Sequence, residues 1–223
     1  MKRMLCAIVI LALIVLAGSC IAESSSGFLS VDSQGVVHFC GLDWNAGFIE
    51  VVTTIEEATG RTGEAAGGEG QTAMTFIHNQ GTLKSFPGLP SDCCYPMITA
   101  VMNPDGSWWM ECQLARETIR FDDAVDAANW FHAVNAALQG TLGVSEMNYV
   151  RMEYWDRNTG EGIGVTYGAE DYEAQLENWV RDVSTNGAFI TFVLNYNNLE
   201  LSLEVGQYED APFYSCWLIL NPA

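Results

Sequence analysis

The feature that most restricts the fold of this chain is a segment near its C-terminus in which apolar and polar side chains alternate strictly. Its apolar positions are Leu199, Leu201, Leu203 and Val205, and its polar positions are Glu200, Ser202 and Glu204. Successive side chains of a β-strand point to opposite faces, so this pattern predicts a strand with one buried and one solvated face. The sheet to which it belongs is therefore solvated on one side at this place.

Further segments of the same kind are separated by short turns and are predicted to pair as antiparallel hairpins. One turn is Asn103-Pro104-Asp105-Gly106, in which proline presets φ and glycine accepts a positive φ; another is Asn197-Asn198. The paired segments are residues 96–102 with 108–114, 148–155 with 163–167, and 188–196 with 199–205, and a last strand covers 213–220.

Helical spacing of apolar residues separates these hairpins. One helix is predicted over residues 124–138, behind two aspartates and ending at Gly140, and a second over residues 172–183. Residues 48–55 suggest an earlier helix that ends near Gly60, although their β-branched residues also favour a strand.

This order predicts an α+β fold: a mainly antiparallel sheet of hairpins with two or three helices packed on one face. Residues 28–223 are expected to form a single domain, with residues 28–70 as a candidate N-terminal lobe. The glycine-rich stretch 60–70 has no apolar face, so it is predicted to be a mobile loop.

The N-terminus has the pattern of a signal peptide. Lys2 and Arg3 precede the apolar run 4–17, which is followed by small residues, so residues 1–20 are predicted to direct export. The expected location is extracytoplasmic, either at the cell surface or secreted.

Cys20 suggests a lipoprotein-type signal, in which this cysteine is the lipid attachment site and residues 21–27 form a flexible tether. Such a site prefers Leu, Val or Ile three residues before the cysteine, whereas this chain has Ala17 there. Ordinary secretion, with cleavage after Ser19 or Ala22, and a retained signal anchor are the alternatives.

The charge of the chain excludes several classes of partner. It has 28 Asp and Glu residues against 9 Lys and Arg residues, for a formal net charge of −19. Such a surface repels phosphate backbones and anionic headgroups, so we expect no nucleic-acid partner and membrane attachment only through the N-terminus. The expected partner is an extracellular ligand or protein of unknown identity, and cationic groups suit this surface better than anionic ones.

Five cysteines follow the leader: Cys40, Cys93, Cys94, Cys112 and Cys216. In an exported protein they are expected to form disulfides where geometry allows, with at most two bridges and unknown connectivity. Alternation along the predicted strands places both Cys112 and Cys216 on a buried face.

No nucleophile elbow, zinc-protease motif or nucleotide-binding loop occurs in the sequence, and no cofactor is expected. The histidines His38, His78 and His132 have no visible catalytic partner. The loop bearing Asp156, Asn158 and Glu161 has alternating oxygen ligands, but it fails the EF-hand pattern, so no metal site is predicted.

The aromatic residues are the remaining indication of function. Trp108 and Trp109 are neighbours on one predicted strand, so one faces the core and the other faces away. We expect Trp109, Tyr149 and Trp155 to form a binding surface on the sheet, unless helices cover that face.

The sequence thus favours an exported, membrane-tethered, acidic domain with a non-catalytic binding role. The alternative is an extracytoplasmic hydrolase, for example acting on glycosides, that uses Glu111 with Glu153 or Asp156. That chemistry requires two carboxylates about 5 to 9.5 Å apart.

Overall fold

A computed structural model describes residues 28–68, 70–78, 83–117, 120–156, 159–164, 174–175, 178–179, 189–208 and 211–222. Its helices are α1 (Phe48–Thr59) and α2 (Ala124–Leu142). Its strands are β1 (Leu29–Val31), β2 (Val37–Phe39), β3 (Glu64–Ala66), β4 (Thr72–Ile77), β5 (Lys84–Ser85), β6 (Cys93–Met102), β7 (Trp108–Arg116), β8 (Asn148–Asp156), β9 (Glu161–Gly164), β10 (Phe189–Tyr196), β11 (Leu199–Tyr208) and β12 (Ala211–Leu220).

Ten of these strands form one antiparallel sheet, in the order β3-β4-β6-β7-β12-β11-β10-β8-β9, with β5 paired to β6 at one end. The two meanders β4-β6-β7 and β10-β11-β12 meet through their last strands, so the strand order is symmetrical about the β7–β12 pair. The α+β prediction is confirmed, and the hairpins at 103–106 and 197–198 form as expected.

Both described helices pack on the same face of the sheet, here called the inner face. Val51 and Ile55 of α1 are completely buried, and Phe131 of α2 lies 5.8 Å from Phe192 of β10, ring centre to ring centre. The inner face also buries Trp108, which stacks on Trp44 with a centroid distance of 4.4 Å. The hydrophobic core therefore lies between this face and the helices.

Capping residues mark the ends of both helices, and the predicted end of α2 needs a correction. The carboxylate of Asp123 accepts a hydrogen bond from the backbone N–H of Asp126 and begins α2. Gly140, predicted to end the helix, lies inside it, and the left-handed cap is Gly143. Residues 48–59 form a helix rather than a strand, since α1 ends at a left-handed Gly60 and buries one face.

The stretch 60–70 is not only a loop, because Glu64–Ala66 forms an edge strand paired to β4. The prediction failed there because all three residues are exposed and thus have no apolar signature. Backbone hydrogen bonding to a neighbouring strand, rather than burial, holds them. The predicted helix 172–183 lies mostly outside the described residues, and the predicted signal peptide 1–20 and tether 21–27 lie wholly outside them.

The prediction of disulfides is not supported, since all five described cysteines are free thiols. Cys112 and Cys216 are buried on the inner face, as predicted. Cys112 lies opposite Leu218 and Cys216 lies opposite Leu114, so the two cysteines are diagonal neighbours. That relation separates the Cβ atoms by about 6 to 7 Å, whereas a disulfide needs about 4 Å. The thiol of Cys94 instead donates to the carbonyl of Ala115.

Across the described part of the chain, no helix is both long enough and apolar enough to span a bilayer.

Candidate functional site

The face of the sheet opposite the helices, here called the outer face, is built by the odd-numbered residues of β7 and β12 and the even-numbered residues of β11. Trp217 of β12 lies between Gln113 of β7 and Ser202 of β11. Along the same strands, Glu111 lies beside Ile219, which in turn faces Glu200. Among the described residues, neither helix covers this face, and its side chains are mostly half-buried by one another.

A row of aromatic rings crosses one end of the outer face. Phe213, Phe189 and Trp155 occupy one register on β12, β10 and β8, with Gly206 of β11 between the first two. The rings of Trp155 and Phe189 are nearly parallel at 6.2 Å, and 37% of Trp155 is exposed. A Cβ on Gly206 would lie 2.5 Å from the Phe213 ring, so this glycine makes room for that ring.

Carboxylates alternate with the aromatic residues on this face. Glu204 lies between Ser215 and Thr191, in the register next to the aromatic row, and Glu153 extends the same register on β8. The Glu153 carboxylate also accepts a hydrogen bond of 3.2 Å from the indole of Trp155. The outer face therefore combines ring faces with negative charge.

Glu111 is a half-buried carboxylate of the outer face. It lies between Thr99 and Ile219 in the sheet register, and Trp109 is two residues before it on the same face. Burial raises the pKa of Glu111 above its ordinary value. A cation placed against this carboxylate would favour its charged form and would be stabilised by it.

The predicted binding residues Trp109 and Trp155 lie on the outer face, but they are not brought together. Trp109 is on β7 and Trp155 is on β8, with three strands between them, which is a separation on the order of 19 Å across the sheet alone. Tyr149 is on β8, and its side chain is outside the described part of the structure. Sequence reasoning missed Trp217, whose place between the two tryptophans depends on the long-range pairing of β7 with β12.

Glu111 and Glu153, one of the two carboxylate pairs of the hydrolase alternative, do not converge. Glu111 on β7 and Glu153 on β8 are also separated by three strands, again on the order of 19 Å, whereas glycoside hydrolysis needs less than about 10 Å. The side chain of Asp156, the other candidate partner, is outside the described residues, as is Asn158 of the loop considered for calcium.

The histidines occupy three separate environments. His38 bonds the carbonyl of Leu42 at 2.7 Å and the carboxylate of Asp32 at 3.1 Å. His132 on α2 meets the ring of Phe192 edge-on, and burial lowers its pKa. His78 follows β4 and is buried, 8% exposed, at the side of a basic pocket.

A cleft of about 500 Å³ opens on the inner side where β7 and β12 separate beyond Leu114. Its walls include Phe121 and Tyr214, whose rings are 5.0 Å apart. The guanidinium of Arg116 lines it and is paired with Asp126 at 2.8 Å, so much of its charge is compensated. The cleft thus offers mainly an aromatic and apolar wall.

No protein-family model, curated protein or solved structure gives a significant match to this chain.

Proposed function

We propose that this chain is an exported, membrane-tethered, non-catalytic domain that binds a positively charged ligand or partner protein through the outer face of its sheet. The observation that carries the proposal is the alternation of aromatic rings and carboxylates on a sheet face that no described helix covers. Lys and Arg side chains are recognised by this combination, because ring faces attract cations and carboxylates accept their hydrogen bonds.

The charge of the whole chain supports the same class of partner. With a formal charge of −19, the protein attracts cations over distances up to the Debye length and repels nucleic acids and anionic membranes. The two tryptophans nearest the centre of the outer face, Trp109 and Trp217, provide the apolar contact area that binding of a flexible cationic segment needs.

The leader supports export and attachment. Lys2, Arg3 and the apolar run 4–17 match a signal peptide, and Cys20 is the residue that would carry the lipid. A tether at residues 21–27 would leave the domain outside the membrane, with its outer face open to partners.

The direct test maps the surface that a cationic probe contacts. An isotopically labelled domain, residues 28–223, is titrated with a lysine- and arginine-rich peptide, and amide shifts are followed by NMR. The proposal predicts that the largest shifts fall on β7, β11 and β12. Shifts concentrated on α1 or α2, or spread evenly over all acidic residues, would refute it.

A further inference from the structure

A pocket of about 410 Å³ lies at the C-terminal end of α1, where β4 has ended and β5 begins. Its walls are formed by Thr59, Gly60, Arg61, His78, Leu83, Lys84 and Ser85. None of these residues is acidic, although acidic residues outnumber basic ones by 28 to 9 in the chain. The pocket therefore has the opposite charge to the protein as a whole.

Two residues of the pocket, Arg61 and Lys84, are among the few basic residues of the chain. Seven of the nine lysines and arginines remain once Lys2 and Arg3 of the leader are set aside, and Lys84 is the sole lysine among them. The Lys84 ammonium donates to the carbonyl of Ala58 at 2.7 Å, which fixes its position at the helix end. An ammonium has three donors; one is used by Ala58 and the group also faces the ring of Phe28, 5.5 Å from its centroid, so at least one donor remains for a ligand.

His78 provides the second observation that indicates a ligand. His78 is 8% exposed and lines the pocket, and its Nε2 atom has no hydrogen-bond partner among the described residues. Buried polar atoms are normally paired, so the unpaired Nε2 of a residue that lines the pocket needs a partner, which a ligand atom would supply.

The charged groups around His78 determine whether the ligand in this pocket is an anion or a cation. Burial is the main cause that lowers the pKa of His78, and the charges of Arg61 and Lys84 lower it further. The ring also meets Tyr95 edge-on at 5.1 Å, which adds no charge. A bound anion would compensate the two cations and accept a hydrogen bond from Nε2.

We propose that this pocket binds a small tetrahedral oxyanion group, phosphate or sulfate, held by Arg61, Lys84 and Nε2 of His78. A guanidinium, an ammonium and an imidazole are the donors that such groups prefer. The volume exceeds that of one phosphate, so the group is expected to be part of a larger solute or headgroup. The site is independent of the outer face, which would bind groups of the opposite charge.

The test uses inorganic phosphate and follows the His78 ring by NMR as a function of pH, in the presence and absence of the ion. Phosphate is expected to raise the pKa of His78, because an adjacent anion stabilises the imidazolium. Arg61→Gln should weaken phosphate binding by about tenfold, since it removes a charge-assisted contact. Arg120→Gln, which removes an equal charge elsewhere, should leave binding unchanged.

A His78 pKa that does not respond to saturating phosphate or sulfate, in a protein that remains folded, would overturn the proposal. Equal weakening by Arg61→Gln and Arg120→Gln would also overturn it, because binding would then reflect overall charge. Vesicles that contain phosphatidylglycerol distinguish the source of the phosphate group. If the protein associates with the vesicles and Arg61→Gln abolishes this association, the ligand is a lipid headgroup. If the protein binds phosphate but not the vesicles, the ligand is a soluble molecule.

Discussion

Asn198, in the turn between β10 and β11, hydrogen-bonds both backbone polar groups of Val37, 161 residues earlier in the chain. Its Oδ1 accepts from the Val37 N–H at 2.8 Å, and its Nδ2 donates to the Val37 carbonyl at 2.9 Å and to the carbonyl of Asn221 at 3.1 Å. One buried amide therefore joins β2 and the C-terminus to the main sheet.

We expect Asn198→Ala to lower the free energy of unfolding by about 1 to 3 kcal/mol, because the buried N–H of Val37 loses its acceptor, whereas the Val37 carbonyl keeps its hydrogen bond from the indole of Trp44. Urea denaturation monitored by tryptophan fluorescence measures the loss. Asn148→Ala, at an exposed position at the start of β8, is the matched control and should change stability by less than about 0.5 kcal/mol. Equal effects of the two substitutions would show that Asn198 does not hold β2 in place.

Two glycines should respond to alanine in opposite directions. Gly206→Ala places a methyl group 2.5 Å from the Phe213 ring, and it should cost about 1 to 3 kcal/mol through overpacking. Gly140→Ala, on α2, has open space around its new Cβ, and it should gain about 0.5 to 1 kcal/mol from helix propensity. Thermal unfolding of both variants measures the difference. A stabilising Gly206→Ala would contradict the described packing of the aromatic row.

The Asp32–His38 pair should make stability depend on pH. Burial disfavours the imidazolium, but hydrogen bonds to Leu42 and Asp32, with the charges of Asp32 and Asp43, outweigh it and raise the pKa of His38. The hydrogen bond to His38 is the largest cause that lowers the pKa of Asp32.

The stabilisation that His38 contributes to the folded state is fully present below its ordinary pKa of 6.5, and it is lost as the pH rises through the raised pKa. The stabilisation that Asp32 contributes is present above its ordinary pKa of 3.8, and it is lost as the pH falls through the lowered pKa. The pair should therefore stabilise most between these two ordinary values. Asp32→Asn should lower the His38 pKa measured by NMR, whereas Asp105→Asn should not. An unchanged His38 pKa in Asp32→Asn would refute the pairing.

Attachment to the membrane should depend on Cys20. Lipidation would occur on that single sulfur, so Cys20→Ser should release the protein from cells or leave it as an uncut precursor. Intact mass of the mature N-terminus measures the outcome, and Cys40→Ser is the control. Wild-type protein found mostly free in the medium with a clipped N-terminus would contradict surface attachment.

Local patterns predicted the elements whose signal is contained in a few neighbouring residues. The alternation from Leu199 to Val205 marked β11, and Asp123 marked the start of α2, because burial on one face and capping both leave local traces. Glycine usually breaks helices, so the sequence predicts a helix end at Gly140, but the packing of Leu138 and Leu142 continues the helix past it. The exposed strand β3 left no such trace.

The two candidate sites, the outer face and the basic pocket, are formed by long-range contacts, which a local sequence pattern does not indicate. Pairing of β7 with β12 puts Trp217 in the centre of the outer face, and this pairing joins segments about a hundred residues apart. The basic pocket gathers Arg61, His78 and Lys84 from three elements, and none of them has a motif around it. Composition gives an expectation for the class of partner, because net charge acts at long range without any particular fold, and this expectation stays a prediction.

Binding of a cationic partner to the outer face is tested by comparing two charge-matched double variants. The Kd of a lysine- and arginine-rich peptide is determined for Glu200→Gln/Glu204→Gln, on the outer face, and for Glu50→Gln/Glu57→Gln, on exposed positions of α1. We predict that the first pair of substitutions weakens peptide binding about tenfold or more and that the second pair changes it less than about twofold. Direct contact with the peptide requires carboxylates at the binding face, whereas long-range attraction of the peptide depends only on the net charge. Equal weakening in both variants would show that net charge alone binds the peptide and that the outer face is not its binding site.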